Sequence, residues 1–261
     1  MTPILFLTAC VNPNGMAYTK LNNPEVRLQQ YKEALDWYLD HTDMKILLVE
    51  NSGTDFSSSY QKQIDEGRLE FLCFDGNNYD RSRGKGYGEA AIMEYGIAHS
   101  HLLKSAPPEI LIAKITGRLI CKNISELTSR YAAAQAVCAC ISKDDWDGNI
   151  AESQVVMAPV AFFTQSFLPR REEINDSQCR HFEHVLYAAI CDWRKAGNRF
   201  REFWTPPVMQ GVSGTSGAVI NTVLSGKQLL QYRLMYVLHR LGYRGYINPF
   251  YHGQPMRPIE V

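Results

Sequence analysis

The chain has 261 residues, 45% hydrophobic and 21% charged, which places it among globular proteins and excludes disordered and fibrous classes. Lys plus Arg and Asp plus Glu number 27 each, so the formal charge is zero and the basic footprint of a nucleic-acid-binding protein is absent. The seven cysteines, odd in number and mostly set in apolar runs, suit reduced core thiols and a cytoplasmic setting, and no Cys-x-x-Cys pair supports a structural zinc.

The opening apolar run, Pro3 to Leu7, has no basic flank and is not laid out as a signal peptide, and no segment reaches the length of a membrane span. Ile4–Cys10 reads as a buried strand ended by the turn Asn12-Pro13-Asn14-Gly15. A helix is expected from Pro24, with Tyr31, Leu35 and Tyr38 among the apolar positions near helical spacing. Met44–Val49 is a second strand, left through Glu50-Asn51-Ser52-Gly53, and Leu69–Phe74 is a third, followed by a polar loop to Gly88. A helix over Glu89–Leu103 leads to a fourth strand, Glu109–Ile115, ended by Thr116-Gly117-Arg118. The second half is less regular, with strands expected at Ala136–Ile141 and Gln154–Phe163 and helices at Arg180–Gly197 and Lys227–Leu241. Alternating strands and helices imply an α/β fold, a mostly parallel sheet flanked by helices, with ligands at the carboxyl ends of its strands. No linker divides the chain, so a single domain is expected over residues 1–261.

Two cationic turns fall at that edge. Arg83-Gly84-Lys85-Gly86-Tyr87-Gly88 stands between a strand and a helix, where glycines let backbone N–H groups approach an anion and Arg83 and Lys85 add charge. Its spacing is neither that of a Walker loop nor that of a dinucleotide-binding turn. Lys114-Ile115-Thr116-Gly117-Arg118 places two more cations beside a glycine, and the planar fork of Arg118 matches phosphate oxygens. A plain structural turn accounts for either segment as well.

This order of strands and turns resembles the nucleotide-binding half of GT-A glycosyltransferases. It is most similar to bacterial polysaccharide and O-antigen transferases whose fourth strand ends in Lys-x-Thr-Gly-Arg. The resemblance spans the first half to two thirds of the chain and implies a nucleotide-sugar-binding half to about residue 135 and an acceptor-side half over 136–261. It implies a hexose transferred from a nucleotide sugar, UDP-linked by expectation, to a growing surface polysaccharide or lipid-linked glycan. Glu50 and Asn51 would meet the nucleoside and Arg118, Lys85 and Lys114 the diphosphate, with Thr8, Arg83, Gly86, Thr116 and Gly117 completing the donor set. Most GT-A enzymes end the fourth strand with a metal-holding Asp-x-Asp, whereas here an arginine supplies the charge, so metal-independent binding with no cofactor is expected. Asp145-Trp146-Asp147 is the competing metal pair, one strand too late and within an acidic run.

Inverting transfer needs a base, and Glu183 in His181-Phe182-Glu183-His184 is the candidate, with His181 and His184 as orienting, acceptor-side partners. Gln210 to Gly217 fails the G-x-S-x-G pattern because Thr215 holds its fifth position, leaving a polar loop that meets substrate through Ser213 or a structural turn. Lys227 to Tyr246 mixes leucines with Arg233, Arg240 and Arg244, a pattern that suits either a core helix or peripheral contact with an anionic membrane. A sugar nucleotidyltransferase and a non-catalytic scaffold subunit are the alternative functions. The first is expected to carry a Gly- and Arg-rich turn after its first strand, which Ala9 to Gly15 does not.

Overall fold

The structure is a computed structural model that describes residues 2–16, 19–143 and 149–241. Among these the strands are β1 (Ile4–Ala9), β2 (Ile46–Glu50), β3 (Leu69–Cys73), β4 (Leu111–Thr116), β5 (Ile120–Cys121), β6 (Val137–Ala139), β7 (Ile141–Lys143), β8 (Asn149–Ala151), β9 (Val155–Pro159), β10 (Phe200–Glu202), β11 (Met209–Val212) and β12 (Val219–Asn221). The α-helices are α1 (Pro24–His41), α2 (Gln61–Asp65), α3 (Lys85–His99), α4 (His101–Lys104), α5 (Ile124–Tyr131), α6 (Val160–Phe162), α7 (Phe182–Lys195) and α8 (Gly226–Arg240).

Seven strands form one sheet in the order β10-β6-β9-β4-β1-β2-β3, parallel throughout except for β9, which runs antiparallel to β4 and β6. The mixed α/β fold with a mostly parallel sheet flanked by helices, implied by the sequence, is thus present. Strands β12-β11-β5 form a second, smaller sheet and β7 pairs with β8.

Every residue of β1 and β2 is buried, as expected where helices cover both faces of a parallel sheet. Alternate residues serve opposite faces: Leu5, Leu7, Ile46 and Leu48 join Tyr31, Leu35 and Tyr38 of α1, while Ile4, Phe6, Leu47 and Val49 join Ile92 and Met93 of α3. Helix α1 begins where Asn23 Oδ1 accepts from the Glu25 and Val26 N–H groups, with Pro24 at its first position.

Tertiary contacts move some boundaries. Helix α3 starts at Lys85 rather than Glu89, because Gly86 and Gly88 lie inside its first turn, where added Cβ atoms would meet Phe182 Cβ at 2.9 Å and Tyr79 Oη at 2.2 Å. Close packing there outweighs glycine's poor helix propensity. The helix expected to reach Leu103 is cut at Ser100, whose hydroxyl donates to Glu70 while accepting from Leu103 N–H to cap α4. The strand expected to run to Phe163 stops at Pro159, because Phe162, Phe163 and Phe167 turn helically into the core. The seven cysteines are free.

The turn after β4 is fixed from three sides. Gly117 N–H donates to Thr8 O at 2.9 Å, in a contact so close that a Cβ would lie 2.7 Å from that oxygen. Leu119 N–H closes the turn onto Thr116 O at 2.9 Å. The fully buried Tyr38 hydroxyl donates to Leu119 O and accepts from Cys121 N–H, both at 2.8 Å, binding the turn to α1. Burial pushes the Tyr38 phenol well above its ordinary range, so it stays a neutral donor. Tyr38→Phe leaves a buried carbonyl and a buried N–H unpaired, and a stability loss of about 2 kcal/mol or more is expected, read as a lower urea midpoint with an unchanged m-value.

Candidate functional site

A cavity of about 630 Å³ opens at the carboxyl ends of β1, β2 and β4. The first half contributes Thr8 to Cys10, Arg27, Tyr31, Asn51, Asn77, Tyr79, the start of α3, Thr116 and Arg118. The second half closes over it with residues 152–154, the start of α7 and residues 212–215.

Its floor is a polar network on the central strands. The Lys114 side chain is wholly buried, and its Nζ lies 2.6 Å from Glu89 Oε1 and donates to Ser153 O at 2.6 Å. The same carboxylate oxygen accepts from Thr8 Oγ1 at 2.9 Å and Thr116 Oγ1 at 3.3 Å. Burial favours protonation of Glu89, but Lys114 and the Thr8 hydroxyl outweigh it and hold the carboxyl below its usual range. Glu89 is therefore ionised, and with Lys114 it forms a neutral pair under the cavity.

Cations line the cavity as well. Arg118 is 7% exposed; its Nη1 donates to Val212 O at 2.9 Å and Gln30 Oε1 at 3.2 Å, and its guanidinium lies 6.0 Å from the Tyr31 ring centre. Its Nε is buried without a partner, as is Asn51 Oδ1, so two of the unpaired buried polar atoms among the described residues belong to side chains lining this cavity. Each such group costs about 1–3 kcal/mol, which a ligand bonding to it would recover. Lys85, exposed at the start of α3, reaches across to the Thr215 hydroxyl. A Cβ on Gly214 would meet Arg118 Nη2 at 2.5 Å and Arg27 Nη1 at 3.9 Å, so the 213–215 loop lies directly over these cations. Arg27 is spent on its own fold, with Nε and Nη2 donating to Cys10 O and Nη1 to Leu21 O.

At the start of α7 the cavity becomes acidic. Ser153 Oγ donates to Glu183 Oε1, and His181 Nδ1 lies 2.8 Å from Asp176 Oδ1. Asp176 packs against Gly84, where φ is +80° and a Cβ would sit 1.9 Å from Asp176 Oδ2, so both the backbone angle and the space there require glycine. The glycines of the 84–88 turn are accounted for by Asp176, Phe182 and Tyr79 packing onto them. Cys10 also lines the cavity, but burial, only partly offset by Arg27, pushes its thiol up to about 11, too high for a thiolate nucleophile at neutral pH.

No protein-family model matches this chain. No curated protein matches it in sequence. Among solved structures it is similar to a 4-diphosphocytidyl-2C-methyl-D-erythritol synthase, with a TM-score of 0.44 and 10% identity over 90% of this chain and 98% of that one. It is also similar to a protein assigned as a nucleotide-diphospho-sugar transferase from Desulfovibrio desulfuricans G20 (0.44, 9%, 78% of this chain and 80% of that one) and to the inositol-1-phosphate CTP transferase of T. maritima (0.41, 11%, 88% and 95%). Likenesses this distant leave the chemistry to be read from the cavity.

Of the residues singled out in the sequence, Thr8, Asn51, Lys85, Gly86, Thr116, Arg118, His181, Glu183 and Ser213 line this one cavity. Five others do not. Glu50 is fully buried, with its carboxylate accepting from the N–H groups of Val11, Ser52 and Thr54, so it folds the loops after β1 and β2 together. Arg83 pairs with Glu172 and lies over the Tyr87 ring, anchoring α3 to the 172–174 segment. Lys114 is neutralised in the floor, Gly117 is a strand contact, and His184 Nδ1 accepts from His181 N–H to cap α7. Asp145 and Asp147 lie outside the described residues. Among those described, no three His, Cys, Asp or Glu side chains converge, and the end of β4 offers threonine, glycine and arginine, a donor set that does not fit a divalent cation.

Sequence reasoning passed over Glu89, Asp176, Arg27 and Tyr31. Glu89 was visible at the end of the glycine turn, yet its partner Lys114 is 25 residues away on a strand whose pattern is otherwise apolar. Removing one member of a buried pair strands the other, so Lys114→Met is expected to cost about 3–5 kcal/mol in denaturant unfolding at neutral pH. Because the folded pKa of Glu89 is depressed, its contribution is complete above the ordinary carboxylate range and is lost as pH falls through the lower folded value. The wild-type protein should therefore lose stability across that acidic window more steeply than Lys114→Met.

Proposed function

We propose that the protein is a glycosyltransferase that takes a hexose from a nucleotide sugar, with UDP as the carrier, and passes it to a surface polysaccharide or lipid-linked glycan. The observation that carries this reading is the pairing, in one cavity at the carboxyl ends of a parallel sheet, of a buried unpaired arginine donor with a buried unpaired asparagine acceptor. Arg118 and Lys85 take the diphosphate and stabilise it as it departs, supplying the positive charge that a metal supplies elsewhere, so binding is metal-independent. Asn51 and Thr8 lie on the nucleoside side, and Thr116 and Gly86 complete the donor wall. Glu183, His181 and Ser213 meet the acceptor.

Contact with an anionic membrane carrying the acceptor belongs to the same proposal. It is supported by Leu230, Leu234, Val237 and Leu241, which are exposed at helical spacing on and just beyond α8. Among the described residues no helix is long and apolar enough to cross a membrane.

Equilibrium titration with UDP-, dTDP-, GDP- and CMP-sugars, with and without EDTA, tests the reading, alongside CTP and UTP as probes of a nucleotidyltransferase. Binding of one nucleotide sugar that survives chelation is expected, with Arg118→Met weakening it roughly 10- to 100-fold through loss of a charge-assisted contact. Tight binding of a nucleoside triphosphate in its place favours nucleotidyl transfer, and no binding at all favours a scaffold role.

A further inference from the structure

We propose that His181, held by Asp176, is the general base of this site, and that transfer therefore inverts the anomeric centre. The inference rests on the glycosyltransferase reading above and names the group that receives the acceptor's proton. Glu183, the base expected from the sequence, lines the same cavity, but its Oε1 already accepts from Ser153.

The assignment follows from the contact that the His181 ring makes with Asp176. An ionised carboxylate only accepts hydrogen bonds, so the 2.8 Å contact to Asp176 Oδ1 puts a proton on His181 Nδ1. Nε2 is then the lone-pair nitrogen, on a ring that lines the cavity and is 39% exposed in its side chain. Asp176 is itself 6% exposed in its side chain and is wedged against Gly84, so it holds the ring in one tautomer and one orientation and stabilises the imidazolium that forms. His184, with ring centre 5.4 Å from that of His181, is arranged the opposite way: its Nδ1 accepts from backbone, and it does not line the cavity. Both histidines belong to the capping box that opens α7, and of the two it is His181 that lines the cavity.

The groups facing His181 are mixed in sign. Lining the cavity with it are Lys85 and Glu89 from α3, Glu152 from the 152–154 segment and Cys179 and Glu183 from its own stretch, while Arg180 precedes it in the chain and the His184 ring lies beside its own. Arg180 is paired with Glu173 and Glu89 with Lys114. The carboxylate in direct contact is that of Asp176.

In the step itself, the acceptor hydroxyl gives its proton to His181 Nε2 as its oxygen forms a bond to the sugar C1. The bond from C1 to the diphosphate oxygen breaks, and its electron pair leaves with the nucleoside diphosphate beside Arg118 and Lys85. The new bond forms on the face opposite the leaving group.

The test uses the full chain and the nucleotide sugar that the titrations identify, with water as acceptor. For wild type the hydrolysis rate should rise with pH as an imidazole loses its proton, and the first sugar anomer seen by NMR should be inverted. His181→Gln should bind the donor as wild type does, lose that pH limb and turn over about 100-fold or more slowly. Glu183→Gln should keep that limb. Long-range proton–nitrogen NMR of the free protein should show His181 protonated at Nδ1, and Asp176→Asn should lose that preference. A retained pH limb in His181→Gln, loss of the limb in Glu183→Gln, a retained anomer, or a proton on Nε2 of wild type each overturns the base assignment while the transferase reading stands. Absence of nucleotide-sugar binding by wild type overturns both.

Discussion

The site is organised around a charge that ought not to be where it is. Lys114 stands in β4, among Leu111, Ile112, Ala113 and Ile115 and before the closing Thr116, and its side chain is wholly buried. An unpaired ammonium there would cost several kcal/mol, so a carboxylate must be brought to it, and Glu89 on α3 is that carboxylate. The pairing fixes how α3 lies on the sheet. It also ties β4 to the 152–154 segment through Ser153 O, and Ser153 in turn holds Glu183 at the start of α7. One buried cation thus places an acidic side chain from each half of the chain in the same cavity.

The second constraint is packing without side chains. Gly117 lets β1 approach the turn after β4, and the 84–88 glycines admit Asp176, Phe182 and Tyr79 against α3. Because the turn after β4 is then locked by Thr8 O and Tyr38, Arg118 has little freedom and stacks toward α1, between Gln30 and Val212 O. A preorganised cation is worth more to a developing charge than a mobile one, because no reorganisation is needed when the charge appears.

Local pattern made much of the fold legible. Ile4 to Ala9 and Ile46 to Glu50 are continuous apolar runs with a single acid or hydroxyl, and Asn23-Pro24 is a helix start with a mechanism; each element falls within a residue or two of expectation. What stayed hidden was set by distant partners. The three residues of β10 pair with β6 across 60 intervening positions, and β5, of two residues, exists only because β11 lies against it. The sequence marked turns that meet at one cavity but not which side chains of each turn are free. Glu50 is consumed by three backbone N–H groups, Arg83 by Glu172 and Lys114 by Glu89, whereas their neighbours Asn51, Lys85 and Thr116 line the cavity. Residue type and spacing place a charged group at a strand end; only the count of its hydrogen bonds says whether any capacity is left for a ligand.

That count gives the cavity its polarity. Arg118 retains donors and faces the 213–215 loop, and Lys85 bridges to the same loop. Glu89, four residues from Lys85 on α3, is neutralised by Lys114, and Asp176 and Glu183 each have one carboxylate oxygen engaged by a donor of the protein. The dianionic diphosphate of a sugar nucleotide is drawn, on the proposed reading, to the two cations that keep spare donors, Arg118 and Lys85, and this orients the molecule in the cavity. On the proposed reading, the arrangement that selects the substrate's orientation is therefore also the one that draws negative charge toward Arg118 and the acceptor's proton toward His181.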